Sequence, residues 1–229
     1  MKGNTKMKKI LCLCVALVLM VLGLAGCNGK NDTNETGNTT TTATPSTATP
    51  TTVPTAEDIP YEVTEEVTDL VIIDVNGYGK IVVELYPETA PITVENFKNL
   101  VSEKFYDGLI FHRIIKGFMI QGGGYTEDWS EKNSPTIKGE FSSNGVENDL
   151  KHTKGVISMA RTPDPNSASS QFFIMHEVAP HLDGEYAAFG NTVYGIEVVD
   201  AIASVRTNYS DMPLDNVVIN SIRFAKAIN

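Results

Sequence analysis

Arg113 is the residue in this chain best placed to do chemistry. It lies in the run Tyr106-Asp107-Gly108-Leu109-Ile110-Phe111-His112-Arg113-Ile114-Ile115-Lys116-Gly117-Phe118-Met119-Ile120-Gln121-Gly122-Gly123. A guanidinium stays charged and offers several N–H donors in a rigid fork. Its chemistry is therefore electrostatic, acting on electron density at a fixed point. A lone arginine on a strand is more often a solvated surface charge, so its surroundings must decide. Other chemistries lack their residues. His112, His152, His176 and His181 form no His-Glu-x-x-His pair and join no cysteine cluster, so no metal site is expected. No Gly-x-Ser-x-Gly elbow occurs. Cys12, Cys14 and Cys27 all fall within the first 27 residues, which leaves the body of the chain without a thiol nucleophile. Gly122-Gly123-Gly124 is not followed by Gly-Lys-Ser/Thr and is no phosphate loop.

A second run reads Gly155-Val156-Ile157-Ser158-Met159-Ala160-Arg161, then Ser167-Ala168-Ser169-Ser170-Gln171-Phe172-Phe173-Ile174. Both runs resemble the signature segments of the cyclophilin family of peptidyl-prolyl cis/trans isomerases. Leu182-Asp183-Gly184 and Ala188-Phe189-Gly190 add matches in family order, and the likeness spans the chain from Val71 to Phe224. The Ser-Met-Ala-Arg form and the Asn-Ser-Ala-Ser-Ser-Gln run are similar to bacterial members.

The resemblance implies catalysis of prolyl bond rotation without a cofactor. Such a bond has partial double-bond character and a barrier of about 18–20 kcal/mol. Uncatalysed exchange takes roughly tens to hundreds of seconds. In the twisted transition state the nitrogen regains a lone pair. A fixed cation aimed at it favours that state over either planar form. An acceleration of about 10⁵ needs roughly 7 kcal/mol.

Arg113 matches the family's catalytic arginine, and Gln121 the glutamine that holds the substrate backbone. Phe118, Met119, Phe173 and Leu182 match the apolar pocket for the proline ring, while Phe111 is left to the core. Phe118 and Met119 are neighbours, and in a regular strand they would point to opposite faces. Ala160, Arg161 and Gln171 match positions lining the groove beside the pocket; the best-known eukaryotic members carry asparagine at position 161. His181 stands where many eukaryotic members have a tryptophan that bonds cyclosporin, so weakened cyclosporin binding is expected. Tyr186 stands where many have a pocket histidine and keeps an aromatic wall with a polar tip. Trp129 lies in a loop and does not replace the missing tryptophan.

These side chains need a rigid frame. Val71–Val75 and Lys80–Tyr86 alternate as strands around the turn signal Asn76-Gly77-Tyr78-Gly79. Pro91–Ser102 reads as a helix, with Pro91 in its first turn and Val94, Phe97, Leu100 and Val101 at helical spacing. Further strand-like runs are Leu109–Ile114, Phe118–Gly122, Val156–Ala160, Gln171–Met175, Ala188–Val193 and Val217–Phe224, with a second helix over Ile196–Ala203. The expected fold is mainly β: a closed eight-stranded antiparallel barrel with two capping helices, cyclophilin-like.

The front of the chain reads differently. Lys2, Lys6, Lys8 and Lys9 precede an apolar run, Ile10–Leu24, too short to span a bilayer core. It ends in Leu24-Ala25-Gly26-Cys27, which is similar to a bacterial lipobox. That likeness implies cleavage before Cys27 and acylation of it, palmitate included, with two or more chains giving stable anchoring. Asn28–Ala56 holds 12 threonines and three prolines and almost nothing to bury. It reads as a disordered tether. The expected organisation is a lipoprotein signal peptide over 1–26, a lipidated N-terminus and tether over 27–60, and an isomerase domain over 61–229.

The expected partners are proline-containing unfolded or extended polypeptides, and the membrane through the lipid on Cys27. The expected location is the extracytoplasmic face of the bacterial cell membrane, with the chain a monomer. A net charge of −10 argues against a nucleic-acid partner. Two other readings are a proline-peptide binding module with incidental turnover and a holdase chaperone.

Overall fold

A computed structural model describes residues 59–228. The leader, Cys27 and the tether up to residue 58 lie outside the described residues. The strands are β1 (Tyr61–Val63), β2 (Leu70–Val75), β3 (Gly79–Leu85), β4 (Leu109–Ile115), β5 (Met119–Thr126), β6 (Val156–Met159), β7 (Phe172–Met175), β8 (Ala188–Tyr194) and β9 (Ile219–Ala227). The helices are α1 (Pro91–Ser102) and α2 (Ile196–Ala203). Gly77, at φ +74°, turns β2 back onto β3 in a left-handed conformation that costs glycine little.

The strands form one antiparallel sheet in the order β1-β9-β2-β3-β8-β6-β7-β5-β4. This corrects the expected closed barrel of eight strands. The ninth strand is β1, three residues long, which pairs with the end of β9 through Tyr61–Ala227 and Val63–Ala225. So short a run carries no periodicity that a sequence pattern could reveal. The ladder also does not return on itself. Where β4 passes the start of β9 there is one isolated bridge, from Ile110 to Val218, the residue before β9.

The chain covers this seam by other means. Gly108 N–H donates to Ile219 O and Phe111 N–H to Val217 O, both at 2.9 Å. Ile114 N–H donates to Asp211 O at 2.8 Å. Arg223 grips Asp107 with two hydrogen bonds of 2.7 and 2.6 Å. Asn208, Asp211, Pro213 and Asn216 favour turns and cannot continue a regular strand, so a loop shields the edge of β4.

Alternation along the strands separates two faces. Val71, Ile73 and Val75 of β2, Ile81, Val83 and Leu85 of β3, Ile120 of β5, and Phe172 and Ile174 of β7 point into the main core. The α1 stripe of Val94, Phe97, Leu100 and Val101 is buried against that core. Phe97 meets the rings of Tyr106, Phe172 and Phe189 at 5.2, 5.7 and 5.3 Å. Val198, Val199, Ile202 and Ala203 bury α2 in the same cluster. Met119, Phe173 and Met175 face the other way. They join Leu182 and Ala188 in a second cluster, with Phe118, Ala160 and Tyr186 packed against it.

Candidate active site

Strand register assembles the outer face. Arg113 on β4 lies opposite Gln121 on β5, Gln121 opposite Phe173 on β7, and Phe173 opposite Ser158 on β6. Directly opposed residues on one face are close neighbours, so cation, amide and aromatic ring form a single row. Met119, two residues before Gln121, shares its face. Phe118 escapes the alternation because β5 starts only at Met119. It belongs to the turn after β4, where Gly117 takes φ +82° and Phe118 N–H donates to Ile115 O at 3.0 Å. Both side chains can therefore reach one site.

They do so in a cavity of about 130 Å³ lined by Arg113, Phe118, Met119, Gln121, Ala160, Arg161, Phe173, Leu182 and Tyr186. Gln171 does not line it. It lines an adjoining groove of about 460 Å³ with Gln121, Ala160 and Arg161, and its Oε1 accepts a 3.0 Å bond from Gln121 Nε2. Gly124 makes room for this amide: a Cβ there would sit 2.5 Å from Gln171 Cγ. His181 is also outside the lining. It is exposed on the rim, its ring stacked on Phe118 at 5.7 Å. Phe111 is fully buried in the core.

Arg113 is neither buried nor far from the apolar wall. Its side chain is 44% exposed, and its Nε lies 3.5 Å from Asp211 Oδ2. Among the described residues its terminal amino groups have no protein hydrogen-bond partner. Arg161 differs. Its Nε donates to Glu185 O and its Nη1 to Thr162 O, both at 3.0 Å. Its guanidinium lies 4.6 Å from the centre of the Tyr186 ring and 5.0 Å from that of Phe141. It is a clamp that holds Tyr186 beside Phe173, whose rings meet edge-on at 5.8 Å.

Behind Phe173 lies a network that the sequence pattern did not single out. His152 stacks on Phe173 at 6.1 Å. Its Nδ1 lies 3.1 Å from Asp183 Oδ1 and its Nε2 3.1 Å from Ser158 Oγ, while its backbone N–H donates to the same Asp183 oxygen at 2.8 Å. With Nδ1–H donating to the carboxylate, Nε2 accepts from the serine hydroxyl. Burial lowers the imidazole pKa, against the pull of Asp183. For Asp183, burial acts upward, but the bonds from His152 and the nearby Lys151 outweigh it and hold the carboxyl below its usual value. Ser, His and Asp stand in line, yet Ser158 is wholly buried, so no substrate can reach its hydroxyl. The network braces the pocket instead, since Asp183 adjoins Leu182. The three residues are too far apart in sequence to form a local signature.

The neighbour of Arg113 on β4, His112, is buried against Tyr125, their rings 4.7 Å apart. Burial lowers its pKa from 6.5 to about 4, outweighing the upward pull of the Ile110 backbone. It is therefore neutral at ordinary pH and adds no charge beside the guanidinium. Among the described residues no cluster of His, Cys, Asp and Glu could hold a metal ion.

A family model described as cyclophilin type peptidyl-prolyl cis-trans isomerase/CLD matches residues 70–224. The chain is 44% identical over 161 residues to a peptidyl-prolyl cis-trans isomerase of Acinetobacter baylyi, covering 66% of this chain and 82% of that one. It is 40% identical over 158 residues to peptidyl-prolyl cis-trans isomerase B of Escherichia coli, covering 64% and 94%. A crystal structure of a Cryptosporidium parvum cyclophilin type peptidyl-prolyl cis-trans isomerase, in the presence of the dipeptide Ala-Pro, is similar with TM-score 0.59 and 32% identity. That likeness covers 68% of this chain and 98% of the other. With the sheet, the outward-facing row and these relatives in view, the chain belongs to the cyclophilin family and is a peptidyl-prolyl cis-trans isomerase.

Proposed function

We propose that Arg113 is the catalytic residue of this isomerase, acting on the nitrogen of a half-rotated prolyl bond. The proline ring enters the apolar cavity of Phe118, Met119, Phe173 and Leu182. Gln121, steadied by Gln171, holds the substrate backbone across it. Ala160 and Arg161 line the passage into the neighbouring groove, with Tyr186 as an aromatic wall and His181 on the rim. The observation that carries this reading is that one small cavity has both an unspent guanidinium and an apolar wall. A cation so placed interacts more strongly with the twisted nitrogen, whose lone pair is free, than with either planar amide.

The test is exchange of an Ala-Pro peptide, followed with the full chain and its Arg113→Ala variant. Turnover is expected to fall roughly 10²- to 10³-fold, the scale of losing one aimed donor, while peptide binding changes little. Turnover surviving in the variant would refute the assignment. Binding without turnover in the wild type would favour the binding module, and aggregation suppressed independently of Arg113 the holdase.

We further infer that the enzyme works as a monomer on exported polypeptides, lipid-anchored through Cys27 at the extracytoplasmic face of the bacterial membrane. The basic start, short apolar run and Leu-Ala-Gly-Cys ending support the anchor. The shielded edge of β4 and the three-residue length of the other edge strand, β1, support the monomer, since among the described residues they leave no long strand edge for a second copy. Slow prolyl exchange limits folding of some chains, and a tethered isomerase would meet them as they emerge. Cys27→Ser should move the protein from the membrane fraction to the soluble fraction in a bacterial host. Equal retention of both forms on the membrane would rule the anchor out.

A further inference from the structure

We propose that Asp211 is a positioning residue for Arg113, supplied by the loop that shields the β4 edge. The inference rests on Arg113 being the catalytic cation. Among the described residues Asp211 is the carboxylate that pairs with this guanidinium, at 3.5 Å from Nε. The contact is made at Nε, and among the described residues no protein acceptor hydrogen-bonds the terminal amino groups of a side chain that lines the cavity.

The position of that carboxylate is set by the backbone of its loop. Leu214 N–H donates to Arg206 O at 3.0 Å, and Thr207 bridges to Pro213. Asn208 N–H donates to Met212 O at 2.8 Å. The Asn208 side-chain oxygen in turn accepts the N–H groups of Ser210 and Met212 at 2.8 and 3.1 Å. Asp211 N–H donates to Asn208 O at 3.1 Å. Asp211 O then accepts the N–H of Ile114, the residue after Arg113, at 2.8 Å. Loop and strand are thus joined one residue from the guanidinium.

Asp211 adopts φ +62°, in the left-handed region that Asp and Asn tolerate better than most residues and glycine best. A turn with no other task would gain by placing glycine there. Aspartate at this point gives a fixed anion beside a long, half-exposed side chain that otherwise has many rotamers. Holding Arg113 near one of them lowers the entropy lost when its fork meets the twisted bond. The pair is exposed, so the effect is modest.

The left-handed backbone supplies a clean test. Asp211→Gly removes the carboxylate while suiting the loop conformation, so folding should be unharmed. With the full chain and an Ala-Pro peptide, kcat is expected to fall about two- to fivefold with KM nearly unchanged and the thermal midpoint not lowered. Asp211→Asn keeps the size and an acceptor oxygen and should recover part of the loss. In an Arg113→Lys background Asp211→Gly should change nothing further. Wild-type kcat in Asp211→Gly would overturn the proposal, as would an equal loss in the Arg113→Lys background. A changed KM with unchanged kcat would also overturn it, making Asp211 a substrate contact. If Arg113→Ala itself keeps full turnover, the underlying assignment of Arg113 fails first.

Discussion

His181 stands on the rim with its ring against Phe118, at the place where the sequence resemblance implies a tryptophan in many eukaryotic members. An imidazole offers less apolar surface and a different donor position than an indole. Cyclosporin is therefore expected to inhibit well above nanomolar concentration, and His181→Trp should tighten inhibition roughly tenfold, about 1.4 kcal/mol. A nanomolar inhibition constant for the wild type would defeat this. The residue scale also shows how unequal two arginines can be. Each arginine has one loose ion pair, Arg113 with Asp211 at 3.5 Å and Arg161 with Glu185 at 3.6 Å. But Arg161 also donates to two backbone oxygens and lies against two rings, whereas among the described residues the terminal donors of Arg113 have no hydrogen-bond partner. Sequence likeness put both near the site. Only the surroundings of each guanidinium say which is available to substrate.

At the scale of elements, α1 depends on a partner far along the chain. Its N-cap position is Ala90, which has no side chain to bond the first free N–H groups. Glu140 takes that part: its oxygens accept Ile92 N–H at 3.1 Å and Thr93 N–H and Oγ1–H at 2.7 Å each. Glu140 is buried, and its own carbonyl accepts Asn148 Nδ2 at 2.9 Å. The segment between β5 and β6 is thus pinned to the helix from which Phe97 supports Phe172 and Phe189. Glu140→Ala should lower stability by about 1–3 kcal/mol, since it leaves buried donors unpaired. Denaturant unfolding measures this, and a loss under about 0.5 kcal/mol, the ordinary surface value, would show the cap to be dispensable. Glu140→Gln should recover part of the loss. The bounds of α1 and α2 were legible from Pro91 and from apolar residues at helical spacing. The cap was not, because no pattern links Glu140 to residues 47 and 48 positions earlier.

For the whole molecule, buried imidazoles make stability depend on pH. His112 binds its proton near pH 6.5 when unfolded but only near 4 in the fold, because burial opposes the charge. Between those values the unfolded chain holds more protons, so stability falls as pH drops through the window and levels off below it. The loss attributable to His112 is on the order of 3 kcal/mol. His152 is shifted in the same direction and adds to it. Urea unfolding at pH 7, 5.5 and 4 should show the decline, and His112→Gln should flatten it. An unchanged slope in that variant would remove His112 as the cause. By itself the sequence determined the family, both helices and eight of the nine strands, and it named the residues proposed for the site. These follow from local periodicity, turn residues and contiguous motifs. Tertiary structure decided how the seam beside β4 is covered, which arginine keeps free donors, and what stands behind Phe173 and beside Arg113. Those outcomes depend on register and burial, which bring Asp183 to His152 and Asp211 to Arg113 across separations that leave no trace in a linear pattern.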